Sequence, residues 1–500
     1  MAIETELKLS LPASALPKLR QHPLLAGVKP QRQRLANTYY DTVDLALKQR
    51  RIALRHRTTS WGQLLTVKSA EPAAGGLAQR SEWEAPSLPG AFDFSHVDDK
   101  LLRRWLEELT PNLLPLSTTD FLRTTWIVAP TPGTCIEVAL DRGAVSCGSR
   151  EDPICEIELE LIEGPVSALF DLALALQETL PLRPEFASKA ERGLRLFQQK
   201  PLAPVRARAS TLTAGLTTGQ AFRIVALDCI EQLQRNEAGI RAADDAEFVH
   251  QARVAIRRLR TAMRFWGPLL PPTFRAAHAP GWQVLGQVLG DVRNRDVLAL
   301  HTLPPLRECF PDVPALNRLA GIAERQRQQA RRNLRALLEQ PDFGQLVLRT
   351  AAAIHALPEY IGLESLEEFS RRRLRGLYRD VLRKAALAQG DSAAHHRLRI
   401  AFKRLRYALE FMAPLYPRKA VRRYVTAAGE MQELLGALND TVVAEALIAE
   451  HRHLGHASLF SGWLRGRGEL LRELMPTAIE AFKSAPPPWK KRSGKGNSRT

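Results

Sequence analysis

The sequence predicts an α+β multidomain protein in which a β-rich N-terminal part is joined to an all-α C-terminal part. Three observations carry this. Up to about residue 165, apolar and polar residues alternate in short runs with the two-residue period of strands. From about Gln220 to Lys483, apolar residues recur at helical spacing, with Pro or Gly between segments. Charge divides at the same place: residues 1–200 carry 24 Lys+Arg against 25 Asp+Glu, and residues 201–500 carry 47 against 28. The whole excess behind the net charge of +18 lies in the helical part. That part is expected to meet a polyanion: nucleic acid, an anionic membrane surface or polyphosphate.

In a strand, residues two apart share a face. Glu4, Glu6 and Lys8 share one face of the first strand, opposite Ile3, Leu7 and Leu9. The same parity joins Arg55 to Arg57, Arg80 to Glu82 and Glu84, Glu137 to Asp141, and Glu156 to Glu158 and Glu160; Lys68 and Arg123 sit in further strand-like runs. Helical inserts are expected at Asp98–Leu109 and Val166–Leu180. Two arrangements fit this parity. The charged faces are the solvated side of a sheet, or they line a closed barrel whose apolar outside is covered by helices. In the second case, carboxylates suit Mg²⁺ or Mn²⁺ and the Arg and Lys side chains suit phosphate oxygens.

Residues 201–218 read as a Pro/Ala/Thr-rich linker, and residues 484–500 as a basic, disordered tail. The helical part repeats itself. The run His250, Arg253, Arg257, Arg260 matches His396, Arg399, Lys403, Arg406 at an offset of 146 residues, and Leu289-Gly290 matches Leu435-Gly436 at the same offset. Arg253, Arg257, Arg260 and Arg264 fall within one helical arc of about 80°, and Glu410 replaces the last of them in the second copy. Arg372, Arg375, Arg379 and Arg383 form a further basic stripe. Such stripes are solvated faces or the walls of a cationic groove. Aromatic residues for base stacking are scarce in them, which disfavours nucleic acid.

The five cysteines (Cys135, Cys147, Cys155, Cys229, Cys309) are scattered without CxxC spacing, which argues against disulfides or a zinc site and for a reducing compartment. No apolar run reaches the length of a membrane span, and the first ten residues have no secretory pattern. The expected location is the cytoplasm, including polyphosphate granules.

Glu4-Thr-Glu6-Leu-Lys8 resembles the ExExK motif of the CYTH superfamily, the triphosphate tunnel metalloenzymes. The resemblance runs over residues 1–200, through Tyr39-Tyr40-Asp41-Thr42, Ala53 to Arg57, Thr66 to Lys68, Arg80 to Glu84, Glu137 to Asp141, Glu156 to Glu160 and Ser188 to Gly193. It implies an eight-stranded antiparallel β-tunnel with outer helices and hydrolysis of inorganic triphosphate with Mg²⁺ or Mn²⁺. Glu4, Glu6, Glu156, Glu158 and Glu160 are then metal ligands. Lys8, Arg55, Arg57, Lys68, Arg80, Arg123 and Lys189 bind the phosphate chain, with Lys189 assisting the attack of water. Lys8, Lys189, Glu4 and Glu6 form the catalytic set. Family members also include adenylate cyclases and thiamine-triphosphatases, and a non-catalytic polyphosphate-targeting role stays open.

The helical blocks resemble a CHAD domain over residues 219–483. That implies a pair of four-helix bundles binding long-chain polyphosphate through His250, Arg253, Arg257, Arg260, Arg264, Arg372, Arg375, Arg379, His396, Arg399, Lys403 and Arg406. The second copy has Asn439-Asp440 where the first is Arg-rich, so the halves are expected to bind unequally.

Overall fold

A computed structural model describes residues 2–69, 75–88, 90–359, 361–388 and 392–490. They form two compact units: residues 1–203 with 338–356, and residues 204–337 with 357–500.

The first unit is built on strands β1 (Ala2–Ser10), β2 (Gln31–Asp41), β3 (Ile52–Thr59), β4 (Gly62–Ser69), β5 (Leu77–Ser87), β6 (Leu114–Val128), β7 (Cys135–Cys147) and β8 (Arg150–Glu163). Their order is β5-β4-β3-β2-β6-β7-β8-β1, and β1 pairs back onto β5, so the antiparallel sheet closes into a barrel. A two-residue strand β9 (Arg183–Pro184) adds to the end of β1. Helices α1 (Leu16–Arg20), α2 (Pro23–Ala26), α3 (Ala46–Gln49), α4 (Lys100–Leu109), α5 (Ser167–Gln177) and α6 (Lys189–Gln198) complete the N-terminal run.

The barrel is apolar outside and charged inside. Leu7, Leu9, Val138, Leu140, Ile157 and Leu159 point outward and are buried with Leu169, Phe170, Ala173 and Leu176 of α5. On another side, Leu54, Leu65, Val67 and Trp83 pack with Leu106 of α4 and with Phe94 and Val97 of the segment before it. Each such leucine contributes roughly 1.5–3 kcal/mol by leaving water, so these outer cores hold the barrel without help from its lumen. Alternate residues then have only the lumen to face, which decides between the two arrangements the parity left open.

The second unit contains α7 (Thr218–Ala242), α8 (Ala246–Phe265), α9 (Pro272–Val297), α10 (Leu303–Cys309), α11 (Pro314–Glu339), α13 (Leu366–Ala386), α14 (Ser392–Met412), α15 (Arg418–Ala449), α16 (Ala457–Glu473) and α17 (Met475–Ser484); α12 (Pro341–His355), between α11 and α13 in the chain, belongs to the first unit. Helices α8 and α9 begin 146 residues before α14 and α15, the offset of the sequence repeat. The copies diverge after α9, where a π-helical turn at Leu298–Thr302 ends what α15 continues to Ala449.

Three sequence expectations are corrected here. The span 219–483 is not one unit, because residues 338–356 belong to the barrel unit. The buried stripe Gly344, Leu348 and Ala351 of α12 supplies the reason. Residues 204–217, within the expected linker, are pinned on α7. The Val205 amide donates to Asn236 Oδ1 (2.9 Å), Asn236 Nδ2 donates to the Val205 carbonyl (2.8 Å), and Arg208 pairs with Glu231 (2.9 Å). The expected disordered tail starts too early, since Trp489 is buried against Tyr424 and Tyr378. Residues 491–500 of that tail lie outside the described residues. No helix among the described residues is long and apolar enough to cross a membrane.

Candidate active site and cationic groove

Register places the lumen charges side by side. Glu6 of β1 lies opposite Glu160 of β8, which lies opposite Glu137 of β7. One step along, Lys8 faces Glu158; Glu156 faces Asp141, and Asp141 faces Arg123. On the other wall Glu4 faces Arg80, Glu82 faces Lys68, and Tyr39 faces Arg55. Lys189 enters from α6. Ser188 caps that helix in a reciprocal box with Glu191, which fixes Lys189 at the first helical position, its side chain in the barrel. The cavity so lined is bounded by Glu4, Glu6, Lys8, Arg55, Arg57, Lys68, Arg80, Arg123, Glu158 and Lys189. Every residue expected to bind the phosphate chain therefore reaches one cavity.

The carboxylates fall into two groups. Asp141, Glu156 and Glu158 offer oxygens within 4.8 Å of one another, an acidic cluster of metal-holding dimensions. That cluster is matched by internal cations. Lys189 Nζ lies 2.7 Å from Asp141, 2.5 Å from Glu156 and 2.9 Å from Glu158. Lys8 lies 2.9 Å from Glu158, and Arg123 grips Asp141 with two bonds of 2.8 and 2.7 Å and also bonds Glu158. Burial alone would push Lys189 and Lys8 down. The carboxylates outweigh it, Asp141 and Glu156 foremost for Lys189 and Glu156 and Glu158 for Lys8, and both ammoniums are held above their usual range. Lys189 is thus a fixed positive charge and not a proton acceptor. Burial opposes ionisation of Glu158 as well, yet Lys189, Lys8 and Arg123 keep it well below the ordinary carboxylate range.

The second group is short of cations. Glu4 pairs with Lys68 (2.7 Å) and Glu6 with Arg80 (2.9 Å), but no ion pair is formed by Glu137 or Glu160 among the described residues. Burial, with Glu4 and Glu137 beside it, pushes Glu160 up to about 7; burial also raises Glu137. A surplus of buried carboxylate is what a hard divalent cation relieves. Of the five expected metal ligands, Glu160 alone forms no ion pair among the described residues; Glu4 is paired with Lys68, Glu6 with Arg80, and Glu156 and Glu158 with ammonium groups.

In the second unit, Arg253, Arg257, Arg399 and Lys403 form one cluster, with Arg293 and His250 beside it and Asp440 as the acid near them. Burial, then Arg257, Arg399 and Arg253, push Lys403 down to about 5. Burial, then Arg257 and Arg399, bring Arg253 to about 10. Further along α8, Arg260 and Arg264 meet Arg404 and Arg275. Arg404 takes the place expected of Arg406, which instead pairs with Glu410 (3.3 Å). His396 bonds Asn439 (3.2 Å). The α13 stripe is not seen to join this cluster: Arg372 is bonded to Glu364, Arg383 to Asp380, and Arg375 and Arg379 are exposed.

Residues 2–194 match the CYTH domain family profile and residues 224–449 match that of the CHAD domain. The chain carries a CYTH domain followed by a CHAD domain. It is 34% identical over 208 residues to an inorganic triphosphatase of Haemophilus influenzae, covering 39% of this chain and 54% of that protein. It thus spans about half the length of that curated relative. Among solved structures, the CHAD domain from the plant Ricinus communis is 31% identical with a TM-score of 0.52, covering 58% of this chain and 99% of that one.

Four residues of the CYTH lumen escaped assignment from sequence, and two of the CHAD cluster. Asp141, Glu137 and Glu82 carry the right parity, but nothing in one strand says which cross-strand neighbour each meets. Tyr39 is buried with its hydroxyl bonded to Arg55, and although burial opposes it, Arg55 and Lys189 lower its pKa. In the CHAD domain, Arg293 lies on α9 and Arg404 one step off the α14 stripe, so the helical spacing of a single helix does not bring either to the cluster.

Proposed function

We propose that the CYTH barrel hydrolyses inorganic triphosphate with Mg²⁺ or Mn²⁺, and that the CHAD domain binds long-chain polyphosphate. The observation that carries the first reading is a lumen in which Lys8, Arg123 and Lys189 are fixed by buried carboxylates while Glu137 and Glu160 form no ion pair among the described residues. Glu4, Glu6 and Glu160, with Glu137 beside them, would hold the metal, which supplies a positive charge to phosphate oxygens and lowers the pKa of water. Arg55, Arg57, Lys68 and Arg80 bind the phosphate chain, and Lys8, Arg123 and Lys189 face the charge that develops on it. Because Asp141, Glu156 and Glu158 already hold these cations in place, little reorganisation is left for the reaction. Burial, then Arg55 and Arg123, lower Arg57 to about 10 against the opposing pull of Glu84 and Glu82, so phosphate binding there also relieves repulsion between neighbouring guanidiniums.

The test is phosphate release from tripolyphosphate, ATP and thiamine triphosphate with each metal. Turnover of tripolyphosphate that Glu4→Gln and Arg57→Ala abolish supports the reading; turnover untouched by both refutes it. For the CHAD domain, the support is a half-buried cation cluster that few acids offset, and binding of long-chain polyphosphate that Arg257→Ala leaves unchanged would count against it.

A further inference from the structure

Helix α12 comes from the middle of the residues matched by the CHAD profile, yet it is part of the barrel unit. Leu348 and Ala351 are wholly buried in the same core as Leu7 and Leu9 of β1, and α12 packs on α5 and β9. Phe170 of α5 stacks on His355 at 5.2 Å. Two contacts are closer than ordinary packing. A Cβ on Gly344 would meet the Leu182 carbonyl oxygen at 2.8 Å, and a Cβ on Gly75 would meet the Ala351 methyl at 2.4 Å. The helix therefore meets Gly75 and Leu182, each the first residue of a short segment (75–76 and 182–185), with nothing but glycine or methyl between.

Those segments hold one residue. The Lys8 amide donates to the Gly76 carbonyl (2.9 Å), and the Lys8 carbonyl accepts from the Glu185 amide (2.9 Å). Pro184 and Arg183 continue the grip by pairing with Leu9 and Ser10. Gly76 has no room to move, since a Cβ there would lie 2.7 Å from the Lys8 oxygen. Behind β1 at this point stands α12; in front of it, Lys8 reaches Glu158 at 2.9 Å.

We infer that α12 is a positioning element for the tunnel, seating Lys8 through its contacts at Gly75 and Leu182, so that the CYTH barrel of this chain is completed by a helix from the CHAD-matched half. This rests on the triphosphatase reading for its kinetic readout. A displacement of β1 by a fraction of an ångström moves Lys8 off the substrate while leaving the barrel closed, because closure depends on strand pairings distributed around the whole sheet.

The experiment uses the full chain. Ala351→Leu overfills the contact with Gly75. Leu25→Ala removes side chain from the same core on α2, which packs on β6, and serves as the control for lost stability. The expected result is a KM for tripolyphosphate raised about tenfold or more in Ala351→Leu, with Leu25→Ala within about twofold of the parent at a comparable loss of Tm. Equal KM values in the two variants overturn the inference. Should Ala351→Leu fail to fold, Gly344→Ala applies the same push at Leu182, with the same expected rise in KM. Calorimetric binding of tripolyphosphate without metal is read in parallel. A parent that binds but does not turn over refutes the triphosphatase reading while the variants still test the helix, and a parent that does neither overturns both.

Discussion

The half-buried amine of Lys403 gives the CHAD domain a measurable proton account. In the free protein, burial and then Arg257, Arg399 and Arg253 hold it at about 5, with Asp440 the acid that partly offsets them. At pH 7 it is therefore neutral. A polyphosphate chain laid along Arg253, Arg257 and Arg399 reverses the sign of the local field and restores the ammonium. Binding then takes up about one proton per site at pH 7, and affinity strengthens about tenfold for each unit the pH falls until it nears 5, or about fiftyfold from pH 7 to pH 5. His250, which burial and Arg293 lower to about 4, adds to the uptake if the chain reaches it. Titration calorimetry with long-chain polyphosphate, in buffers of differing ionisation enthalpy at pH 7, counts the protons directly. Lys403→Arg keeps a charge that does not titrate and should lower the uptake by about one. An uptake identical in the parent and Lys403→Arg would refute the assignment, whatever the affinities.

Other consequences concern the barrel and the C-terminal segment. A carboxyl raised to about 7 is ionised at a cost above that pH, so in the absence of metal Glu160 withdraws stability as pH rises from about 4 to 7. Glu160→Gln should stabilise the metal-free protein at pH 8 by about 2 kcal/mol, allowing for its partial exposure, while weakening Mn²⁺ binding; unfolding curves and calorimetry read the two effects separately. Asp141→Asn removes the one wholly buried acid shared by Arg123 and Lys189. It should cost about 3–5 kcal/mol in urea unfolding, since two buried cations lose a counterion. Trp489→Ala empties a site against Tyr424 and Tyr378, with an expected loss of about 3–5 kcal/mol; a disordered segment would show no change in unfolding midpoint.

Parity made the lumen face legible at Glu4, Glu6 and Lys8 because a strand has only two faces and Leu7 and Leu9 had claimed one. It could not say that Glu156 and Glu158 spend their charge on Lys189, because that contact depends on a helix 31 to 33 residues away entering the barrel. The 146-residue repeat was readable, since α8 and α14 keep identical spacing. The fate of α12 was not: its apolar stripe is an ordinary amphipathic pattern, and periodicity does not name the core a helix will join. The same limit applies to Trp489, where composition suggested disorder and a single aromatic side chain provides the anchor.

The lumen charges do not earn their place by stability. Taking carboxylates and ammoniums out of water costs several kcal/mol per ion, which mutual pairing returns only in part, and the outer cores under α4 and α5 already close the barrel. What the pairing does supply is position. Around Lys8, Arg123 and Lys189 the acids Asp141, Glu156 and Glu158 balance the charge one for one, so three cations stand fixed before any ligand arrives. Around Glu160 the balance fails, and the deficit is one that a divalent cation would fill. On the proposed reading an incoming triphosphate with its metal would correct both sides at once, the anion drawing on cations held ready and the cation on the carboxylate surplus around Glu160. A barrel that only needed to fold would have neither.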